Sequence, residues 1–175
     1  KDFKNLKNSF VKFINKTPTL GKSFICIDDF EIKKLVKKID NKNFLTYGFS
    51  KESDFQIFNP VYKKDYSIFD LKISLPGSKK KTVKKIKLNL IGAHNILNAA
   101  AGVALCLHIG ININVIKKSL KKFTGIQRRL TKVFSVDGRE FFDDYAHHPT
   151  EIRSILKSLK ITSAGRKIIS VFQPH

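Results

Sequence analysis

Apolar residues recur along the chain with two different periods. Phe3, Leu6, Phe10, Phe13 and Ile14 fall at helical spacing and predict a first helix over 3–14. Residues 23–27 form a short apolar run suited to a buried strand. Asp28-Asp29 offers an N-cap after it, and Ile32, Leu35, Val36 and Ile39 line one face of the helix that follows. Residues 44–47 read as the next strand, closed by Gly48. Strand, helix, strand is the pattern of a parallel sheet with a right-handed crossover.

The period then shifts to two. Strands are expected over 54–62, 66–75 and 82–90, joined by the turns Lys63-Lys64-Asp65 and Pro76-Gly77-Ser78. Together they predict an antiparallel β appendage of three strands. Helices return over 93–109, ending at Gly110, and then up to Phe123, with Asn112 or Asn114 as the cap. Thr124-Gly125 breaks that helix. Beyond it, 130–136 and 139–144 flank Asp137-Gly138, the signature of a type I′ hairpin. Pro149 and Thr150 start a helix with Ile152, Ile155, Leu156 and Leu159 facing inward, and 167–172 reads as another buried strand. The fold class is therefore α/β. A boundary between Phe123 and Arg128 divides the later part of one parallel-sheet domain from the start of a second.

The chain has 175 residues, 42% hydrophobic and 27% charged, which favours a packed core over disorder. No apolar run reaches the ~18 residues of a membrane span. Methionine is absent and the chain opens on Lys1-Asp2-Phe3, so it reads as a piece of a longer polypeptide. A formal charge of +20 would attract polyanions. However, 29 of the 34 basic residues are lysine, spread along the whole chain, whereas base and phosphate readout favours arginine. Solvated surface lysine is the expectation, and no nucleic-acid partner. The densest run, Lys79–Lys81 to Lys84-Lys85, is expected at a hairpin tip. Cys26 and Cys106 lie far apart, so neither a disulfide framework nor a zinc site is implied.

Three clusters could carry chemistry. In Gly92-Ala93-His94-Asn95-Ile96-Leu97-Asn98, the amides of Asn95 and Asn98 share one face of a helical first turn. They complement an adenine edge or a ribose hydroxyl, although Asn95 could equally be a helix cap. Gly125-Ile126-Gln127-Arg128-Arg129 places paired guanidiniums at the junction, either to grip phosphate or as exposed hinge charges. Asp143-Asp144-Tyr145-Ala146-His147-His148-Pro149 crowds two carboxylates, a phenol and two imidazoles onto a strand-to-helix turn. It suits a ribose, a metal or a substrate carboxylate. Adjacent histidines on a turn diverge, which argues against zinc, and the aspartates could also be plain turn residues.

In order and spacing these clusters resemble the Mur ligases, ATP-dependent amide-forming enzymes of peptidoglycan precursor synthesis. Val171-Phe172-Gln173-Pro174-His175 and, upstream, Cys26-Ile27-Asp28-Asp29 and Thr46-Tyr47-Gly48 extend the match over nearly the whole chain. The resemblance implies that residues 1–125 are the later part of the family's central ATP-binding domain, and 126–175 the beginning of its Rossmann-like C-terminal domain. It implies ATP as the nucleotide, held by His94, Asn95, Asn98, Arg129, Asp144 and Tyr145, with Asp144 on the ribose and Tyr145 against the adenine. Arg129 and His147 are the implied catalytic residues, and His147 and His148 would meet the sugar-peptide substrate. The branch implied is the one that adds L-alanine to UDP-N-acetylmuramate through an acyl phosphate, in the cytoplasm. Tyr145, Glu151 and Phe172-Gln173-Pro174-His175 favour it over the branch that recycles a tripeptide.

Departures accompany the match. The family's phosphate loop ending Gly-Lys-Thr/Ser, its acidic Mg2+ ligand and its UDP-binding domain are absent from these 175 residues. Leu130 stands where an aromatic residue is usual after the arginines, and the arginine-containing segment expected after His175 is missing. Mg2+ ligands are accordingly expected outside this chain, and the chain alone is expected to be inactive. A basic nucleic-acid-binding module and the folded remnant of a split gene are the rival readings. Oligomeric state is not readable.

Overall fold

The computed structural model describes residues 2–40 and 43–173. The elements run α1 (Phe3–Asn15), β1 (Ser23–Cys26), α2 (Phe30–Val36), β2 (Phe44–Gly48), β3 (Phe55–Tyr62), β4 (Ser67–Ile73), β5 (Lys81–Leu88), α3 (Ala93–His108), α4 (Ile113–Lys122), β6 (Thr131–Val136), β7 (Arg139–Asp143) and α5 (Pro149–Thr162). Caps fall where short polar side chains can satisfy orphan amides. Asp29 accepts from Glu31 and Ile32 at the start of α2, and Asn112 accepts from Asn114 at the start of α4.

One five-stranded sheet has the order β1-β2-β3-β4-β5, parallel across β1, β2 and β3 and antiparallel from β3 to β5. The expected antiparallel strands are thus appended to the parallel sheet as its direct continuation. The join is a jog. Only Tyr47 with Phe55 and Gly48 with Gln56 are in register between β2 and β3. Because the strands overlap only at their ends, a short loop replaces the long crossover that parallel neighbours usually need. Asp54 staples this loop: its Oδ2 accepts from both the Thr46 N–H and the Thr46 hydroxyl at 2.8 Å, while Thr46 Oγ1 accepts from the Asp54 N–H at 2.9 Å.

On β4, the middle strand of the antiparallel three, Asp70 braces both neighbours. Its carboxylate accepts from Asn59 Nδ2 at 3.1 Å and from the Lys85 N–H at 2.7 Å. Asn59 (φ 48°) and Lys85 (φ 56°) are left-handed and sit at shifts of register, β-bulges that bend the two strands flanking β4.

Strand alternation divides the core between the two faces. On one face Phe55, Ile57, Phe69, Leu71 and Ile86 pack against Ile96, Ala100, Val103 and Ala104 of α3 and Ile116 of α4. The small residues of α3 let its backbone approach the sheet closely. Ile25, Ile27, Ile14 and Ile39 form a second cluster, under α1 and α2.

The β6–β7 hairpin turns through Asp137 (φ 49°) and Gly138 (φ 73°), both left-handed as a type I′ turn demands. Two expectations for this unit are corrected. Residues 167–172 form no strand, and Ile169 (77% exposed) and Val171 (95%) lie open, because no partner strand for them exists among the described residues. On α5 the single buried residue is Ser158, not an aliphatic one. Ile152 and Leu156 instead line an open groove with Pro149, because the face that meets α3 is the one carrying serines. Lys1, Pro174 and His175 lie outside the described residues.

Candidate nucleotide site

The turn after β7 is organised by one carboxylate. Asp144 Oδ2 accepts from the Leu130 N–H at 2.6 Å, and its Oδ1 accepts from the Ala146 N–H at 2.7 Å. The Tyr145 N–H donates to the Arg128 carbonyl at 2.9 Å. These bonds tie the segment entering β6 to the segment leaving β7. They hold Arg128 (φ 59°) and Leu130 (φ 49°) in the left-handed region on either side of Arg129. Non-glycine residues there cost about 1–3 kcal/mol each and persist only where the surroundings over-determine them. Asp144 is therefore a structural clamp. Each of its oxygens keeps a second lone pair, so a hydroxyl donor could still be accepted.

The two arginines part company. Arg128 stacks its guanidinium 4.9 Å from the Tyr145 ring centre and reaches Asp143 at 3.7 Å. Arg129 is exposed, and its charge depresses the pKa values of both His94 and Glu151. The Tyr145 ring also meets the His147 ring edge-on at 5.4 Å.

His147 Nδ1 lies 3.2 Å from the Tyr145 carbonyl and 3.8 Å from Glu151 Oε2. His148 caps α5, its Nδ1 accepting from the Thr150 N–H at 3.3 Å. Glu151 completes the capping box by accepting from the His148 and His147 N–H groups, which holds its carboxyl below the usual range. The aspartate turn thus leads directly into a well-capped helix.

The first unit contributes the start of α3. Gly92 caps this helix without a side-chain hydrogen bond. Asn95 is not an N-cap: its Nδ2 donates backwards to the Ile91 carbonyl at 2.8 Å, which orients the amide. Asn98 is exposed one turn on. His94 is half-buried, with Nδ1 3.3 Å from Ser154 Oγ on α5. Burial pulls its pKa below the ordinary histidine value; the Asp144 carboxylate opposes that shift and the Arg129 charge adds to it. The imidazole therefore lies within electrostatic reach of residues from both ends of the hairpin. His94 thus joins the start of α3 to α5 through Ser154, and the charges of Asp144 and Arg129 act on it from the flanks of the hairpin.

Ser154 and Ser158 escaped the sequence reading as parts of this arrangement, whereas Arg128, paired there with Arg129, instead packs on Tyr145. A serine inside an amphipathic helix carries no local signal of what it faces. Among the described residues no group of three or more His, Cys, Asp or Glu side chains could hold a metal ion.

Comparison with known proteins adds an independent line. Residues 1–106 match the Mur ligase middle domain, and residues 128–175 match the Mur ligase glutamate ligase domain. The UDP-N-acetylmuramate–L-alanine ligase of Pelagibacter ubique (strain HTCC1062) is 51% identical over 98% of this chain and 37% of its own length. The enzyme of that name from Brachyspira hyodysenteriae (strain ATCC 49526 / WA1) is 40% identical over 97% of the chain and 36% of its own length. The chain thus spans little more than a third of these relatives. Among solved structures, the UDP-N-acetylmuramate-alanine ligase of Thermotoga maritima superposes with a TM-score of 0.73 at 26% identity, covering 100% of this chain and 37% of that one. The Mycobacterium tuberculosis folylpolyglutamate synthase shares the fold, with a TM-score of 0.72 at 15% identity over 91% of this chain and 35% of its own. With both family domains matched in the order of the sequence motifs, the chain belongs to the Mur ligase family.

Proposed function

We propose that this chain is part of a cytoplasmic, ATP-dependent ligase that joins L-alanine to the carboxylate of UDP-N-acetylmuramate in peptidoglycan precursor synthesis. Residues 1–125 form the later part of its central ATP-binding domain and 126–175 the beginning of its C-terminal domain. In that reaction a carboxylate oxygen of the sugar attacks the γ-phosphorus of ATP and ADP leaves. The amine of L-alanine then attacks the acyl phosphate, phosphate departs and the amine loses a proton.

The observation that carries this reading is the contact between the start of α3 and α5, His94 Nδ1 lying 3.3 Å from Ser154 Oγ, which brings the α3 amides to the same side as the hairpin that carries Arg129 and Asp144. A cation, a carboxylate with spare lone pairs and the adjoining amides Asn95 and Asn98 are the groups a nucleotide needs. Arg129 meets the phosphates, Asp144 the ribose and Tyr145 the adenine, while His147 and His148 lie toward the sugar substrate. Mg2+ would offset the phosphate charge during the transfer, its main ligands lying in the remainder of the enzyme. L-Alanine rather than a tripeptide as amine is supported by the relatives at 51% and 40% identity.

The test is Asp144→Asn in the full-length ligase carrying this segment. It keeps one carbonyl acceptor for the loop and removes the charge. The KM for ATP is expected to rise about tenfold or more, as befits a charged hydrogen bond of ~1.5–3 kcal/mol. An unchanged KM removes Asp144 from the nucleotide site.

A further inference from the structure

We propose that Ser154, on α5, is a positioning residue for the nucleotide site: its hydroxyl holds the His94 imidazole and so sets the spacing between the start of α3 and the Arg129–Asp144 loop. The inference rests on the nucleotide reading above and adds to it a residue that touches no substrate.

Three observations meet at this seam. His94 Nδ1 and Ser154 Oγ, 60 residues apart, lie 3.3 Å from one another. One helical turn along, Ser158 is 4% exposed; its hydroxyl donates to the Ser154 carbonyl at 2.8 Å and lies against Gly92. A Cβ on Gly92 would run into Ser158 Oγ and into the His94 ring, so the two helices touch more closely than any side chain at position 92 permits. Serine suits such a contact because it is small and satisfies its own hydroxyl on the carbonyl four residues back. Thr162 repeats the pattern with a bond to the Ser158 carbonyl at 3.1 Å, giving α5 a hydroxyl-bearing face where an ordinary amphipathic helix is aliphatic.

The imidazole meets this face at Ser154 and also feels the charged loop. Asp144 and Arg129 act on it with opposite signs, and Arg129 in turn acts on Glu151, which caps α5. An imidazole anchored at Nδ1 keeps its other ring nitrogen for a second partner. Should the anchor be lost, Asn95 and Asn98 would move independently of Arg129 and Asp144, and the two halves of the nucleotide site would no longer be held in register.

The experiment compares Ser154→Ala and Ser154→Thr in the full-length ligase, with Asp144→Asn alongside, and follows the His94 ring protons by NMR in the 175-residue chain. Ser154→Ala is expected to raise the KM for ATP about three- to tenfold, the worth of one neutral hydrogen bond, with kcat at saturating ATP within about twofold. The His94 titration midpoint should move up toward the ordinary histidine value as the ring leaves the seam. Ser154→Thr, which keeps the hydroxyl, should restore both. If Ser154→Ala leaves the KM and the titration unchanged while Asp144→Asn raises the KM, the positioning role is overturned and the nucleotide site stands. If Asp144→Asn is also silent, the nucleotide reading falls as well. Should Ser154→Ala fail to fold, the wild-type titration decides: a midpoint at or above the ordinary histidine value overturns the proposal.

Discussion

Replacing Gly92 by alanine probes the α3–α5 seam most directly. Gly92 has φ 97° and ψ 149°, a region that only glycine populates freely. Forcing a Cβ into that conformation costs about 1–3 kcal/mol. The new methyl group also has to displace Ser158 Oγ, breaking its bond to the Ser154 carbonyl for a further ~1 kcal/mol. The expected loss is about 2–4 kcal/mol, a large share of the ~5–15 kcal/mol that holds an ordinary domain together. Urea unfolding reads it as a midpoint lowered by about 1–2 M for a slope near 2 kcal/mol per M. Ser158→Ala placed in the Gly92→Ala background separates the two contributions. It removes the collision with the hydroxyl but neither the close contact with the His94 ring nor the backbone strain, so about 1 kcal/mol should return and the remainder should not. A Gly92→Ala protein within about 0.5 kcal/mol of wild type would refute the account of the seam.

Two further outcomes are expected. Glu140 binds Lys132 at 2.8 Å and Arg166 at 2.6 Å, with Lys64 of the first unit at 3.9 Å, and these cations hold its carboxyl down to about 2. A depressed carboxyl stabilises the fold fully above its ordinary value of 4.5 and loses that contribution as pH falls toward 2, so Glu140→Gln should flatten the acid limb of a stability–pH curve over that window. The 175-residue chain on its own should release no phosphate in the presence of ATP, Mg2+, UDP-N-acetylmuramate and L-alanine; alanine-dependent phosphate release would show that the segment suffices.

Much of the fold is legible in local pattern. The helical spacing of α1 and α2, the Asp29 and Asn112 caps and the Asp137-Gly138 turn each depend on near neighbours, and all appear where the pattern places them. The aspartate turn was legible as chemistry because five polar or aromatic groups crowd one short loop. What escaped depends on distance. Nothing in the spacing says that Ser154 and Ser158 face α3, since that partner lies some 60 residues away. The apolar run at 167–172 has the composition of a buried strand, but burial needs neighbours, and composition does not supply them. The merging of the antiparallel strands into the parallel sheet hinges on the two-pair overlap of β2 and β3, a feature without a sequence mark.

With 34 cations and 14 carboxylates, acids are scarce in this chain, and several serve two masters. Asp70 braces two bulges, Asp144 clamps the hairpin's two flanks and Glu140 gathers three cations. Mutational tolerance should therefore be lopsided by sign. Surface lysines would exchange with little effect, while neutralising a single acid at one of these points would loosen two or more segments at once. Lineage drift in such a protein could rewrite much of its positive surface yet leave these few negative positions pinned.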